Sequence, residues 1–170
     1  MRYFIISLFF SILSMPAIAV DGYKSLKFGI AKDEVKASKI CNFTINIPLD
    51  TNAEGIGCTD FMFSGDKTVA SAIFIDNKFV RFVIDVPGKK VDSVITALNQ
   101  KYGPPSTPAS QDGMKELLAR KPLARVQAGF DKDTVLVEMM NNKVSERIYT
   151  LIYTVSDFDE RKAENVKNDI

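Results

Sequence analysis

The chain has 170 residues, 22 Lys and Arg against 21 Asp and Glu, and no histidine or tryptophan. Without histidine it lacks the commonest general base and metal ligand, and every Ser-His or Cys-His catalytic arrangement is excluded. The near-neutral balance argues against nucleic acid, which calls for a basic face.

Met1-Arg2-Tyr3 is a short basic start, and Phe4 to Leu13 is an apolar run broken only by Ser7 and Ser11. Ala17-Ile18-Ala19 then supplies a small-x-small cleavage pattern. Residues 1–19 read as a secretory signal peptide cut before Val20. The apolar run is about half of the roughly 20 residues a spanning helix needs, so no stable membrane insertion is expected after cleavage. The expected address is the periplasm or full secretion. Arg2 accounts for the one excess charge, which leaves residues 20–170 neutral and long enough for a single α+β domain.

Tyr23 to Phe28 reads as a short strand. Ala31 to Ser38 reads as a short helix with Asp33 and Glu34 in its first turn, where the macrodipole favours acids. Phe43 to Ile47 alternates like a strand, and Pro48 to Gly57 reads as a polar loop. Thr59–Phe63, Thr68–Ile75 and Phe79–Val86 follow as strands, the last two paired as a hairpin through Asp76-Asn77-Lys78. Val80, Phe82, Ile84 and Val86 take one face of the last strand, with Arg81 and Asp85 on the other.

Lys89 to Tyr102 has the clearest helical stripe, in Val91, Val94, Ile95, Leu98 and Tyr102, with Gly103 placed to end it. Ser106 to Gly113 reads as a loop, and Met114 to Arg120 as a helical turn or two. Arg125–Phe130, Thr134–Met140 and Arg147–Val155 read as strands. Residues 156–170 form a charged terminal helix or tail. The expected class is α+β, an antiparallel sheet with helices on one face. The halves 29–86 and 87–155 each run helix then strands, a repeat of topology without residue identity.

Cys41 and Cys58 are the only cysteines, and in an exported chain they are expected to form one disulfide. Asp50, Asn52 and Glu54, followed by Gly55, match the first half of a calcium loop, but its twelfth position is Phe61 rather than a bidentate Glu. No metal or cofactor is therefore expected. Lys115, Arg120, Lys121 and Arg125 make a basic patch around a proline, suited to an acidic partner surface. No P-loop, nucleophile elbow or dinucleotide fingerprint is present, and no catalytic residue is assigned.

Phe28-Gly29-Ile30-Ala31-Lys32-Asp33-Glu34-Val35 and Leu98-Asn99-Gln100-Lys101-Tyr102-Gly103-Pro104-Pro105 resemble two signatures of small exported bacterial proteins, mostly uncharacterised. The cysteine pair and Leu151-Ile152-Tyr153-Thr154 look like the same group. More remotely, the first signature is similar to SmpA/OmlA outer-membrane assembly lipoproteins and to β-lactamase-inhibitor-like domains. The expected function is a non-enzymatic periplasmic protein-binding module, such as an inhibitor or immunity protein. Its partner contacts are expected on the loops Pro48–Gly57 and Pro104–Gly113, with Asp50, Asn52, Glu54, Lys115, Arg120 and Lys121 as contact residues. Two alternatives stay open: a cell-envelope assembly factor, and a small-ligand carrier with a pocket between the sheet and the Lys89–Tyr102 helix.

Overall fold

The computed structural model describes residues 19–49 and 53–168, with side chains to 163 in the last helix. The predicted leader up to residue 18, and Asp50 and Asn52, lie outside these residues. The chain opens with a small hairpin, β1 (Gly22–Tyr23) and β2 (Leu26–Lys27), followed by α1 (Lys32–Ala37). Four strands follow: β3 (Ile45–Pro48), β4 (Ala53–Phe63), β5 (Asp66–Ile75) and β6 (Lys78–Asp85). A 3₁₀ turn at Gly88–Lys90 leads into α2 (Val91–Tyr102), and α3 (Gln111–Leu118) comes next. Then come β7 (Arg125–Phe130), β8 (Val135–Asn141), β9 (Arg147–Thr154) and α4 (Phe158–Asn168).

The seven long strands form one antiparallel sheet in the order β3-β4-β5-β6-β9-β8-β7. The order is mirrored about the β6–β9 pair: β5 and β4 lie outward on one side, β8 and β7 on the other. The α+β class expected from the sequence is what the molecule adopts.

Alternation along the strands sends one set of side chains to a common core. Phe61, Ala72, Phe74, Phe79, Phe82, Ile84, Val137 and Leu151 lie in it, and Val35 of α1 and Val91, Val94 and Leu98 of α2 close over them. Tyr23 joins the same cluster, stacked on Phe82 with ring centroids 4.8 Å apart. Phe61, Phe74 and Phe79 are fully buried. At the β7 edge, α3 seats Leu117 beside Asn141, whose side-chain amide donates to the Leu117 and Lys121 carbonyls at 3.0 and 3.1 Å.

Both sequence signatures have structural work to do. The Glu34 carboxylate reaches back to accept from the Ala31 N–H at 3.0 Å, closing the first turn of α1 over Val35. Gly103 ends α2 at φ 81°, a conformation L side chains rarely adopt. Cys41 and Cys58 are joined as expected, tying the segment after α1 to β4 across a sequence separation of 17.

Two expected loops are regular structure. Residues 53–57, read as part of a polar loop, open β4 and are paired with β3 and β5. Gly55 and Gly57 concealed this strand. They sit under Ile47, whose side chain fills the space their missing Cβ atoms leave. Residues 111–113, also read as loop, open α3, because Ser110 caps it by accepting from the Gly113 N–H at 3.1 Å. The expectation that helices keep to one face fails for α4. Its Phe158 ring lies 3.3 Å from the Arg81 guanidinium, on the side of the sheet away from α2.

Candidate functional site

Two surfaces combine apolar area with unpartnered polar groups. The first is a cleft between α2, the sheet and the N-terminal hairpin. Its outer chamber, about 580 Å³, is lined by Val20, Tyr23, Lys24, Lys101, Tyr102 and Tyr153 among others. Its inner chamber, a groove of about 320 Å³ as open as the outer one, runs along α2 between Phe63, Ser64, Ser93, Val94, Ala97, Leu98 and Leu151. Lys101, Tyr102 and Tyr153 border both chambers. The Tyr102 hydroxyl is buried and has no hydrogen-bond partner. Burial pushes the Tyr23 phenol up to about 12. It pushes Tyr153 higher still, with Tyr102 and Tyr23 adding to the effect. Lys24 stands 5.4 Å from the Tyr23 ring and 5.5 Å from the Phe61 ring, and Lys101 stands 4.8 Å from the Tyr102 ring. The Asp21 carboxylate beside the outer chamber is taken by Lys27, which holds its carboxyl below the usual range.

The second surface is the face of the sheet opposite the core. Ile45 and Ile47 of β3 lean over Gly55 and Gly57 toward Ser71 and Ile73. Met62, Val69 and Val83 alternate with core residues on their strands and share this face. Ile45 is 41% exposed, Met62 50% and Val69 38%. Toward the centre stand Asp85 and Thr150, directly paired across β6 and β9. Burial raises the Asp85 carboxyl, and the Thr150 hydroxyl is buried without a partner. Arg81 occupies the part of this face that α4 covers. Its Nε donates to Thr154 Oγ1 at 3.1 Å. Burial lowers its guanidinium to about 10, against the opposing pull of Asp159 and Glu138.

The described contact residues expected from the sequence, Glu54, Lys115, Arg120 and Lys121, are not gathered by the fold. Glu54 lies on β4 near one edge of the sheet, paired with Lys32 of α1 at 2.6 Å, so it is not a loop ligand. Lys115, Arg120 and Lys121 lie on or just after α3, at the opposite edge. Lys115 pairs with Asp112 at 3.0 Å and Lys121 with Glu116 at 2.6 Å, so the basic patch is largely neutralised by its own helix. Asp60 lies close to the two cysteine sulfurs, but these are joined to each other and offer no thiolate to a metal. The Asp60 carboxylate accepts from the Asn42 N–H at 3.0 Å. The tyrosine cleft was not legible in sequence beyond Tyr102 on its helical stripe. Tyr23 and Tyr153 come from the two ends of the chain, and only the fold joins them.

A family described as "Uncharacterised protein" has a sequence model that matches residues 23–169. The chain belongs to that family. It is 34% identical over 165 residues to an uncharacterised protein of Haemophilus influenzae, covering 93% of this chain and 92% of the relative. An uncharacterised protein of Pasteurella multocida is 25% identical over 107 residues, covering 58% of this chain and 55% of the relative. No solved structure matches the chain. The family match covers the disulfide, all seven strands of the large sheet and the cleft residues from Tyr23 onward, while Val20 and Asp21 precede it. No described helix is long and apolar enough to cross a membrane. The disulfide fits an oxidising compartment.

Proposed function

We propose that this is an exported, non-enzymatic protein-binding module of the periplasm, of inhibitor or immunity-protein type, which docks its partner on the uncovered face of the sheet. The observation that carries this reading is the apolar set Ile45, Met62 and Val69, exposed on a rigid sheet around the uncompensated Asp85 carboxylate. Contiguous exposed apolar area rimmed by polar groups is the common mark of a protein interface. Asp85 would find in a partner the cation it lacks. The remote similarity of the first signature to inhibitor-like domains supports the same reading. The contacts move from the two expected loops to the sheet, because Pro48 and residues 53–57 of the first loop are held in β3 and β4, and residues 111–113 of the second in α3.

The test is affinity purification from periplasmic extract with the mature chain, beside the variants Ile45→Asp and Val69→Asp. Both side chains are exposed, so the fold should survive the change. A stoichiometric partner retained by the parent and lost by both variants is the expected result. No such partner, or one that both variants keep, refutes docking on this face. A partner drawn from the outer-membrane assembly machinery would favour the envelope-factor alternative over an inhibitor.

A further inference from the structure

We propose that the cleft between α2 and the sheet is a binding site for a single-chain fatty-acid anion, with the carboxylate in the outer chamber and the alkyl tail in the inner one. The two chambers differ in chemistry in the way such a ligand does. Phe63, Val94, Ala97, Leu98 and Leu151 give the inner chamber an apolar wall along the exposed flank of α2. At about 320 Å³ it sits at the low end of ligand pockets, roughly 300–1,000 Å³, which suits one alkyl chain of medium length.

The shared wall and the outer chamber supply the head-group contacts. Lys24 and Lys101 line the outer chamber, and neither is ion-paired to a described residue. Each ammonium instead lies over aromatic rings at 4.8 to 5.5 Å, held but not neutralised. Asp21, the one acid among the described residues lining this chamber, is engaged by Lys27. An anion entering here therefore meets two uncompensated positive charges. Tyr102 borders both chambers, and its buried hydroxyl has no hydrogen-bond partner among the described residues. Tyr23 and Tyr153 are held protonated, so they remain donors across the neutral range.

We take the head group as a carboxylate, and titration with decyl phosphate decides between the two anions. The site is independent of the uncovered sheet face, which lies on the other side of β6 and β9.

Calorimetric titration of the mature protein with decanoate, decanol and decyl phosphate, each below its micelle concentration, tests the assignment. Decanoate should bind at least tenfold more tightly than decanol. Lys101→Gln should weaken decanoate at least tenfold and leave decanol unchanged. Ala97→Trp, at an exposed position on the cleft wall, should abolish both while the thermal melt stays that of the parent. A Lys24→Gln variant should repeat the loss of decanoate affinity if Lys101→Gln perturbs the helix. No heat with millimolar decanoate overturns the proposal, as does equal affinity for decanol or indifference to both lysine changes. Tighter binding of decyl phosphate overturns the choice of head group. Partner capture through Ile45 and Val69 should be unaffected by Ala97→Trp, so the two readings fail separately.

Discussion

Asp85 has given up part of its hydration on the uncovered sheet face without gaining a cation. Burial raises its carboxyl above the ordinary 3.8. The folded chain thus binds a proton more readily than the unfolded one. Its contribution to stability is fully present below 3.8 and is lost as pH rises through the folded value. Asp85→Asn should therefore be more stable than the parent at pH 7, and the difference should close as the pH falls below 3.8. Urea melts across pH 3 to 7 measure this, and a variant less stable than the parent at neutral pH would refute it. Asn141 makes the opposite case. It is fully buried, and its amide satisfies two carbonyls at the end of α3. Asn141→Ala should cost about 2 kcal/mol, read as a lower urea midpoint with the slope unchanged.

Among the elements, those legible in the sequence carried an unbroken period. The stripe Val91, Val94, Leu98 put α2 in place, and the alternation of Phe82, Ile84 and Val86 put β6 in place. The elements missed were those whose local composition concealed them. Glycines in β4 signalled a loop because sequence does not show Ile47 lying over them from the neighbouring strand. Pro, Ser and Asp before α3 signalled a loop too, although Ser110 was its cap. Removing that cap with Ser110→Ala should cost about 1 kcal/mol. The disulfide was legible because export and an even count leave only one pairing. It closes a loop of the length for which chain entropy gives about 3 kcal/mol, so Cys41→Ser with Cys58→Ser should lower stability by that order. Denaturant melts of the parent and the double variant, each fully oxidised or thiol-free, make the comparison. A pocket between the sheet and α2 was anticipated from the sequence, as the site of the small-ligand alternative. Its tyrosines and the sheet-face surface were not, since each gathers residues from separate elements and no local pattern records their meeting.

For the whole molecule, the two faces of one sheet have different surroundings. Helices α1, α2 and α3 pack on one side and leave a cleft beside α2, while on the other side α4 rests on Arg81 through Phe158. The mirrored strand order also bears on how the chain folds. β4, β5 and β6 are joined in turn by tight turns, and β7, β8 and β9 by short ones, so each trio closes through local contacts. The β6–β9 pair is different. It joins Arg81 to Thr154 and Asp85 to Thr150, and this closure spans much of the chain. Chain entropy must be lost before such distant pairing is rewarded, so the two trios should form first and the central seam should zip last. Leu151→Ala, on the core side of that seam, should then speed unfolding several-fold and leave the folding rate nearly unchanged. Stopped-flow chevrons would show this as a shift of the unfolding limb alone, and slowed folding would mean instead that the seam belongs to the nucleus. The mirror axis of the finished sheet would thus also be the last line along which the native state assembles and the first along which it opens.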